Sequence, residues 1–107
     1  DLLAPDVAPG ARDVLATAAA DLLTMCGLTS MIPGTSDDAM RVIDVPVFIG
    51  VGENDIAGAV DPIAASFTAS PAVRAFTLPG AGHNHSISRN RTDLWDAIGE
   101  WIVAPRP

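Results

Sequence analysis

The feature that most constrains the fold is the apolar run VPVFIGV at residues 45–51. Its residues are almost all apolar, several are β-branched, and Gly52 follows directly. A short run of this kind, without polar alternation, is typical of a parallel strand that is buried on both faces. The run therefore predicts a buried strand over residues 45–51 in a protein of the α/β class.

The residues after this run alternate in the way that α/β proteins do. Asp61 and Pro62 predict a helix, with the aspartate as its cap and the proline at its first position, extending to about residue 69. A second strand is predicted at Val73–Leu78, followed by a polar loop over residues 79–90. Strands joined through a helix in this order are parallel, and the crossover between them is right-handed.

A final helix is predicted from about Thr92. Its apolar residues recur at a helical spacing and so share one face, which comprises Leu94, Ile98, Trp101 and Ile102. The complete order is β-α-β-α. Because two strands cover their apolar faces poorly, we expect them to be two edge-side strands of a larger parallel sheet.

Residues 1–44 differ from the rest and are predicted to form a helix and a connector. Apolar residues at helical spacing predict a helix over residues 11–26. The Ser-Asp-Asp cluster at residues 36–38 can cap a short helix over residues 39–42. The predicted division is thus a helical connector segment at 1–44 and a β-α-β-α portion at 45–107.

The composition narrows the possible partners. The 13 acidic residues against 6 basic ones give a net charge of -7, which repels nucleic acid and anionic membranes. An apolar share of 49% is high for a small domain and indicates that part of the surface meets another chain segment. Cys26 has no second cysteine to pair with, and a buried thiol is expected. The compartment stays open, with the cytoplasm favoured.

An acid and a histidine follow the two predicted strands, where α/β proteins bind their ligands. Asp55 lies in the loop after the first strand, and His83 lies in the loop after the second. Carboxyl ends of adjacent parallel strands share one edge, so these side chains are expected to meet. A carboxylate that accepts a hydrogen bond from one imidazole nitrogen leaves the other nitrogen free to act as a base.

Other polar residues near this edge compete for these roles. Glu53 is interpreted as a loop acid that faces solvent, and Asp61 as the helix cap. His85 can orient the loop or contact substrate, and it exchanges roles with His83 if the register is misread.

The pattern of a Val-Pro strand, Gly-x-x-Asp, a helix, a strand, Pro-Gly-x-Gly-His and an amphipathic helix resembles the C-terminal end of the α/β-hydrolase fold. The resemblance covers residues 45–103, and it implies that residues 1–44 are a lid-like segment inserted before the penultimate strand. It implies that Asp55 is the acid and His83 the histidine of a catalytic triad. It also implies a serine hydrolase acting on carboxylic esters or related acyl substrates, without a cofactor or a metal.

The nucleophile of that family is not found in the sequence. The family carries it in a Gly-x-Ser-x-Gly elbow well before the acid. The nearest candidate, GTSDD at residues 34–38, lacks the second glycine and follows no predicted strand. We therefore expect this chain alone to be inactive, with the N-terminal half of the same protein or a second copy as its partner.

Two alternatives stay open on the sequence. In one, the chain is a non-catalytic α/β fragment or module that associates through its open sheet edge. In the other, His83, His85 and Asp55 bind zinc in a metal-dependent hydrolase.

Overall fold

A computed structural model describes residues 7–18, 32 and 34–104 of the chain. These residues form a mixed α/β structure with two strands and four helices. In chain order the elements are α1 (Ala11–Ala18), α2 (Asp37–Arg41), β1 (Val47–Gly52), α3 (Val60–Ala65), β2 (Val73–Leu78) and α4 (Arg91–Val103). A 3-10 turn at His85–Ile87 lies between β2 and α4.

The two strands pair in parallel, as the sequence predicts. Their register runs from Val47 opposite Val73 to Gly52 opposite Leu78. The bounds of β2 agree with the prediction, whereas β1 begins two residues later than predicted. Pro46 has no N–H to donate, and the ladder opens with the Val47 amide donating to the Ala72 carbonyl at 2.9 Å.

One face of the sheet is covered by α4. The core beneath it consists of Leu78, Ala81 and Leu94, with Phe48, Phe76 and Ile98 packed around them. The helix lies so close to β1 that a Cβ atom at Gly50 would stand 2.6 Å from Leu94 Cδ1. The absence of a side chain at Gly50 allows α4 to pack directly against β1.

The opposite face of the sheet is more open, which corrects the prediction of a strand buried on both faces. Burial in β2 alternates, with exposed residues at Val73, Ala75 and Thr77. The first four residues of β1 are half-buried, and full burial begins at Val51. The short helix α3 contributes one buried residue, Val60, and six residues of helix are too few to cover the whole face.

The helix boundaries correct two further predictions. α3 begins at Val60 with Ala59 at the N-cap position, so Asp61 is not the cap and lies within the first turn, where a carboxylate favours the helix dipole. α3 ends at Ala65, before the predicted residue 69. On α4, Ile102 is exposed rather than part of the core face.

The N-terminal segment is described only in part. α1 covers the first half of the predicted helix over residues 11–26, and residues 19–26, with Cys26, lie outside the described residues. The short predicted helix is α2, which begins earlier than expected, and Ser36 at its N-cap position makes no side-chain capping bond. No helix among the described residues is long and apolar enough to cross a membrane.

Candidate functional site

The loops that leave β1 and β2 are tied together where the strands end. The Glu53 amide donates a hydrogen bond to the Leu78 carbonyl at 3.0 Å, and the Asn54 amide donates to the Ala81 carbonyl at 2.8 Å. These bonds extend the pairing of the two chains beyond the last residues of the strands. The two loops therefore leave the sheet side by side.

Gly52 allows this close passage of the two loops. A Cβ atom at Gly52 would stand 2.5 Å from the carbonyl oxygens of both Ala81 and Gly82. Real Cβ atoms essentially never approach backbone oxygens so closely. The contact is backbone against backbone, so a glycine is required at this point.

The loops bring Asp55 and His83 into direct contact. Asp55 Oδ1 lies 3.0 Å from His83 Nδ1. The side chain of Asp55 is 4% exposed, whereas that of His83 is 47% exposed. The carboxylate is thus held inside the structure and the imidazole lies between it and solvent.

A tight turn fixes the carboxylate of Asp55. The Asp55 amide donates to the Gly52 carbonyl at 3.0 Å, and the amide of Ala57 donates to Asp55 Oδ1 at 2.9 Å. This hydrogen bond, from the amide two residues after the aspartate to the aspartate side chain, closes an Asx turn. Gly58 follows with a φ of 79°, which a glycine adopts without strain.

The environment of Asp55 favours its charged form. Burial opposes ionisation and raises the pKa of the carboxyl group, but the hydrogen bonds from the Ala57 amide and the His83 ring, and the charge of a protonated His83, outweigh burial. The pKa of Asp55 therefore lies below its ordinary value of 3.8. A charged carboxylate is a strong acceptor for the Nδ1–H of His83.

The contact with Asp55 determines how His83 can react. With its proton on Nδ1, the neutral ring presents Nε2 as an unprotonated base. Nε2 makes no hydrogen bond to another residue in the described part of the chain. The pair can accept a proton at Nε2, and Asp55 stabilises the imidazolium that forms.

The competing acids have other positions. Glu53 is exposed, as predicted, but it does not simply face solvent, because its Oε2 atom accepts a hydrogen bond from the Gly80 amide at 2.7 Å. Asp61 lies in the first turn of α3 and makes no hydrogen bond to His83. Of the three acids, only Asp55 is hydrogen-bonded to His83.

His85 begins the 3-10 turn and is half-buried. Its Nδ1 atom is buried without a hydrogen-bond partner. Among the described residues, no three His, Cys, Asp or Glu side chains are grouped so that they could hold a metal ion. Asp55, His83 and His85 therefore do not converge as the zinc alternative requires.

No serine hydroxyl in the described part of the chain is hydrogen-bonded to His83. Ser36 is exposed beside α2. Ser88 is fully buried, and its hydroxyl has no hydrogen-bond partner. Within residues 7–18, 32 and 34–104, the pair of Asp55 and His83 thus has no serine hydroxyl bonded to it.

Sequence reasoning missed the polar contacts that hold the histidine loop. Asn90 Nδ2 donates to the Pro79 carbonyl at 3.0 Å, and Glu53 accepts from Gly80. The Pro-Gly dipeptide at 79–80 signals a tight turn in the sequence. Which side chains reach that turn depends on the approach of separate loops.

The chain matches no protein-family model, and no curated protein gives a significant match.

Proposed function

We propose that this chain supplies the acid and the base of a serine hydrolase of the α/β-hydrolase type that acts on carboxylic esters or related acyl substrates. The supporting observation is the 3.0 Å contact between Asp55 and His83 at the carboxyl ends of adjacent parallel strands. A buried carboxylate behind a solvent-accessible imidazole is the arrangement that such an enzyme uses to activate a hydroxyl nucleophile.

In the proposed mechanism His83 transfers protons and Asp55 orients it. A serine hydroxyl from a segment beyond these residues attacks the acyl carbon and gives its proton to Nε2 of His83. The same proton then goes to the departing alcohol as the acyl-oxygen bond breaks. In the second half of the reaction, water gives a proton to His83 and attacks the acyl carbon, and His83 passes that proton to the serine oxygen as the acyl–serine bond breaks, which releases the carboxylic acid. Asp55 stays ionised and keeps the Nδ1–H in place throughout.

The proposal is tested with a fluorophosphonate probe, which labels activated serines. We expect the isolated chain to stay unlabelled and the native protein, captured with an antibody raised against the chain, to be labelled. In the native protein, Asp55→Asn should slow labelling by about ten-thousand-fold, as loss of the acid does in a triad enzyme. Asp61→Asn removes an exposed carboxylate from the neighbouring helix and should leave the rate unchanged.

Two outcomes would count against this proposal. Strong labelling of the isolated chain would mean that a nucleophile other than the proposed upstream serine reacts. Equal labelling of the native Asp55→Asn and Asp61→Asn proteins would remove Asp55 from the reaction.

A second candidate function is association through the sheet. Each strand pairs on one side alone within the described residues, and Val45 and Val73 are exposed at the same end of the sheet. Unpaired strand edges are templates for pairing with another chain. Light scattering after size-exclusion chromatography tests this function, and a monodisperse monomer at all concentrations would contradict it.

A further inference from the structure

The peptide between Pro79 and Gly80 begins the loop that carries His83. The Ala81 amide donates to the Leu78 carbonyl at 3.3 Å and closes a four-residue turn. Proline is at its second position, and Gly80 at its third has a φ of 69°. These features are the signature of a type II turn, in which the third residue needs a positive φ.

The orientation of the middle peptide distinguishes type II from type I turns. Between the two types this peptide turns over by about 180°, while the ends of the turn stay close to each other. Neither the hydrogen bond from Ala81 to Leu78 nor the proline excludes type I, because proline is accepted at the second position of both. Contacts to the middle peptide can therefore add to the preference of Pro79 and Gly80 for type II.

Two side chains from separate segments hold both polar groups of this peptide. On one side, the Pro79 carbonyl accepts a hydrogen bond from Asn90 Nδ2 at 3.0 Å. On the other side, the Gly80 amide donates to Glu53 Oε2 at 2.7 Å, a short bond to a charged acceptor. Both bonds would be lost if the peptide turned over.

We propose that Glu53 and Asn90 are positioning residues for His83, because together they fix the peptide from which its loop starts. Their role in catalysis rests on the proposed function, but their effect on the contact between His83 and Asp55 does not. Glu53 belongs to the same loop as Asp55, and Asn90 is at the N-cap position of α4. The loop that carries His83 is thus bonded both to the loop of Asp55 and to the start of α4.

The tautomer of His83 reports this positioning directly. In the chain labelled with ¹⁵N, the ring nitrogen shifts give the ratio of Nδ1–H to Nε2–H forms at a pH where the ring is neutral. We expect the Nδ1–H form to dominate in the unmodified chain, because Asp55 accepts a hydrogen bond from Nδ1–H. Glu53→Ala should lower the ratio by about tenfold, the fold-change that corresponds to losing a hydrogen bond to a charged group.

Three further variants separate positioning from general damage. Glu53→Gln keeps an oxygen acceptor for Gly80 and should restore the ratio. Asn90→Asp loses the N–H donor, and because the Asn90 side chain makes no capping hydrogen bond to α4, the variant should lower the ratio without unfolding the helix. Glu100→Ala removes a carboxylate that contacts Arg74 near the other end of β2, and it should change nothing at His83.

The proposal is overturned if Glu53→Ala and Asn90→Asp keep the original ratio while their spectra stay dispersed. It is also overturned if Glu53→Gln is as damaging as Glu53→Ala. Should Glu53→Ala unfold, Glu53→Asp replaces it, because it keeps the charge and is too short to reach Gly80. Failure of probe labelling in the native protein would refute the proposed function and leave this tautomer ratio unaffected.

Discussion

The two ends of the same pair of strands are built in different ways. At the carboxyl ends, two polar loops cross at Gly52 with no space for a methyl group. At the amino ends, Val45 is 58% exposed and Val73 is 36% exposed. There the hydroxyl of Ser70 connects the segments that precede the two strands. It lies 2.8 Å from the Val45 carbonyl oxygen and 3.0 Å from the Ala72 carbonyl oxygen.

The difference shows where this small sheet specifies its geometry. The carboxyl ends combine direct backbone contact, backbone hydrogen bonds between loops and a buried ionised carboxylate. Reacting groups need to be held to within about 0.5 Å, and such a network can do so. The amino ends are less constrained, and we expect changes there to affect stability slightly and the acid–histidine pair not at all.

The largest effect should come from Gly52→Ala, which breaks the crossing at the carboxyl ends. The added methyl group meets two backbone oxygens, which cannot rotate away as a side chain can. We expect a loss of about 3 kcal/mol in the free energy of unfolding, the upper part of the range for overpacking. Urea denaturation measures this loss, and the tautomer ratio of His83 should fall in the same variant.

Gly99→Ala is the matched control for that change. Gly99 lies on the exposed side of α4, and an added Cβ there has nothing within 4 Å. Alanine in a helix interior is favoured over glycine, so this variant should gain about 0.5–1 kcal/mol. If both glycine variants shifted stability in the same direction, the crossing would not be the cause.

A second effect should appear on acidification. Because the pKa of Asp55 in the folded chain lies below its ordinary value of 3.8, its contribution to stability is complete above that value and is lost as the pH falls through the lowered pKa. Asp55→Asn can keep the acceptor oxygen but carries no titrating charge. The difference in unfolding free energy between the unmodified chain and Asp55→Asn should therefore be full well above pH 3.8 and shrink as the pH falls through and below that value.

The measurement is a series of urea denaturations at each pH, with Asp61→Asn as the control for charge. Asp61 is exposed and makes no hydrogen bond to His83 among the described contacts. A difference for Asp55→Asn that did not change with pH would show that the carboxylate is not preferentially charged in the folded chain.

The smallest effect should follow Ser70→Ala at the amino ends. The hydroxyl makes a partly exposed link, so its loss should cost about 0.5–1 kcal/mol. The tautomer ratio of His83 should not change. A shift in that ratio would show that the two ends of the sheet are coupled. It would contradict the expectation that changes at the amino ends leave the contact between Asp55 and His83 unaffected.

The sequence was sufficient to predict the mixed α/β class, the bounds of β2 and the meeting of Asp55 with His83. These results depend on hydrophobic pattern and on the rule that parallel strands end at one edge, both of which are local or topological. The assignment to the α/β-hydrolase fold and the lid role of residues 1–44 stay predictions.

The errors and omissions concern contacts between distant segments. Asp61 has the chemistry of a cap, but the helix already starts at Val60, with Ala59 at its N-cap position. Ile102 has the right spacing for the core, but it is exposed, because burial depends on what packs against the helix. Glu53 was expected to face solvent, and its bond to Gly80 depends on how two loops approach, which no local pattern contains.

The crossing at Gly52 also has a consequence for how this protein can vary. When a side chain in the core changes, a neighbouring side chain can often be trimmed or enlarged to compensate. Gly52 faces backbone oxygens, which no substitution removes. In a randomised library this position should therefore admit glycine alone, whatever second-site changes accompany it, while core positions such as Leu94 exchange in concert with their neighbours.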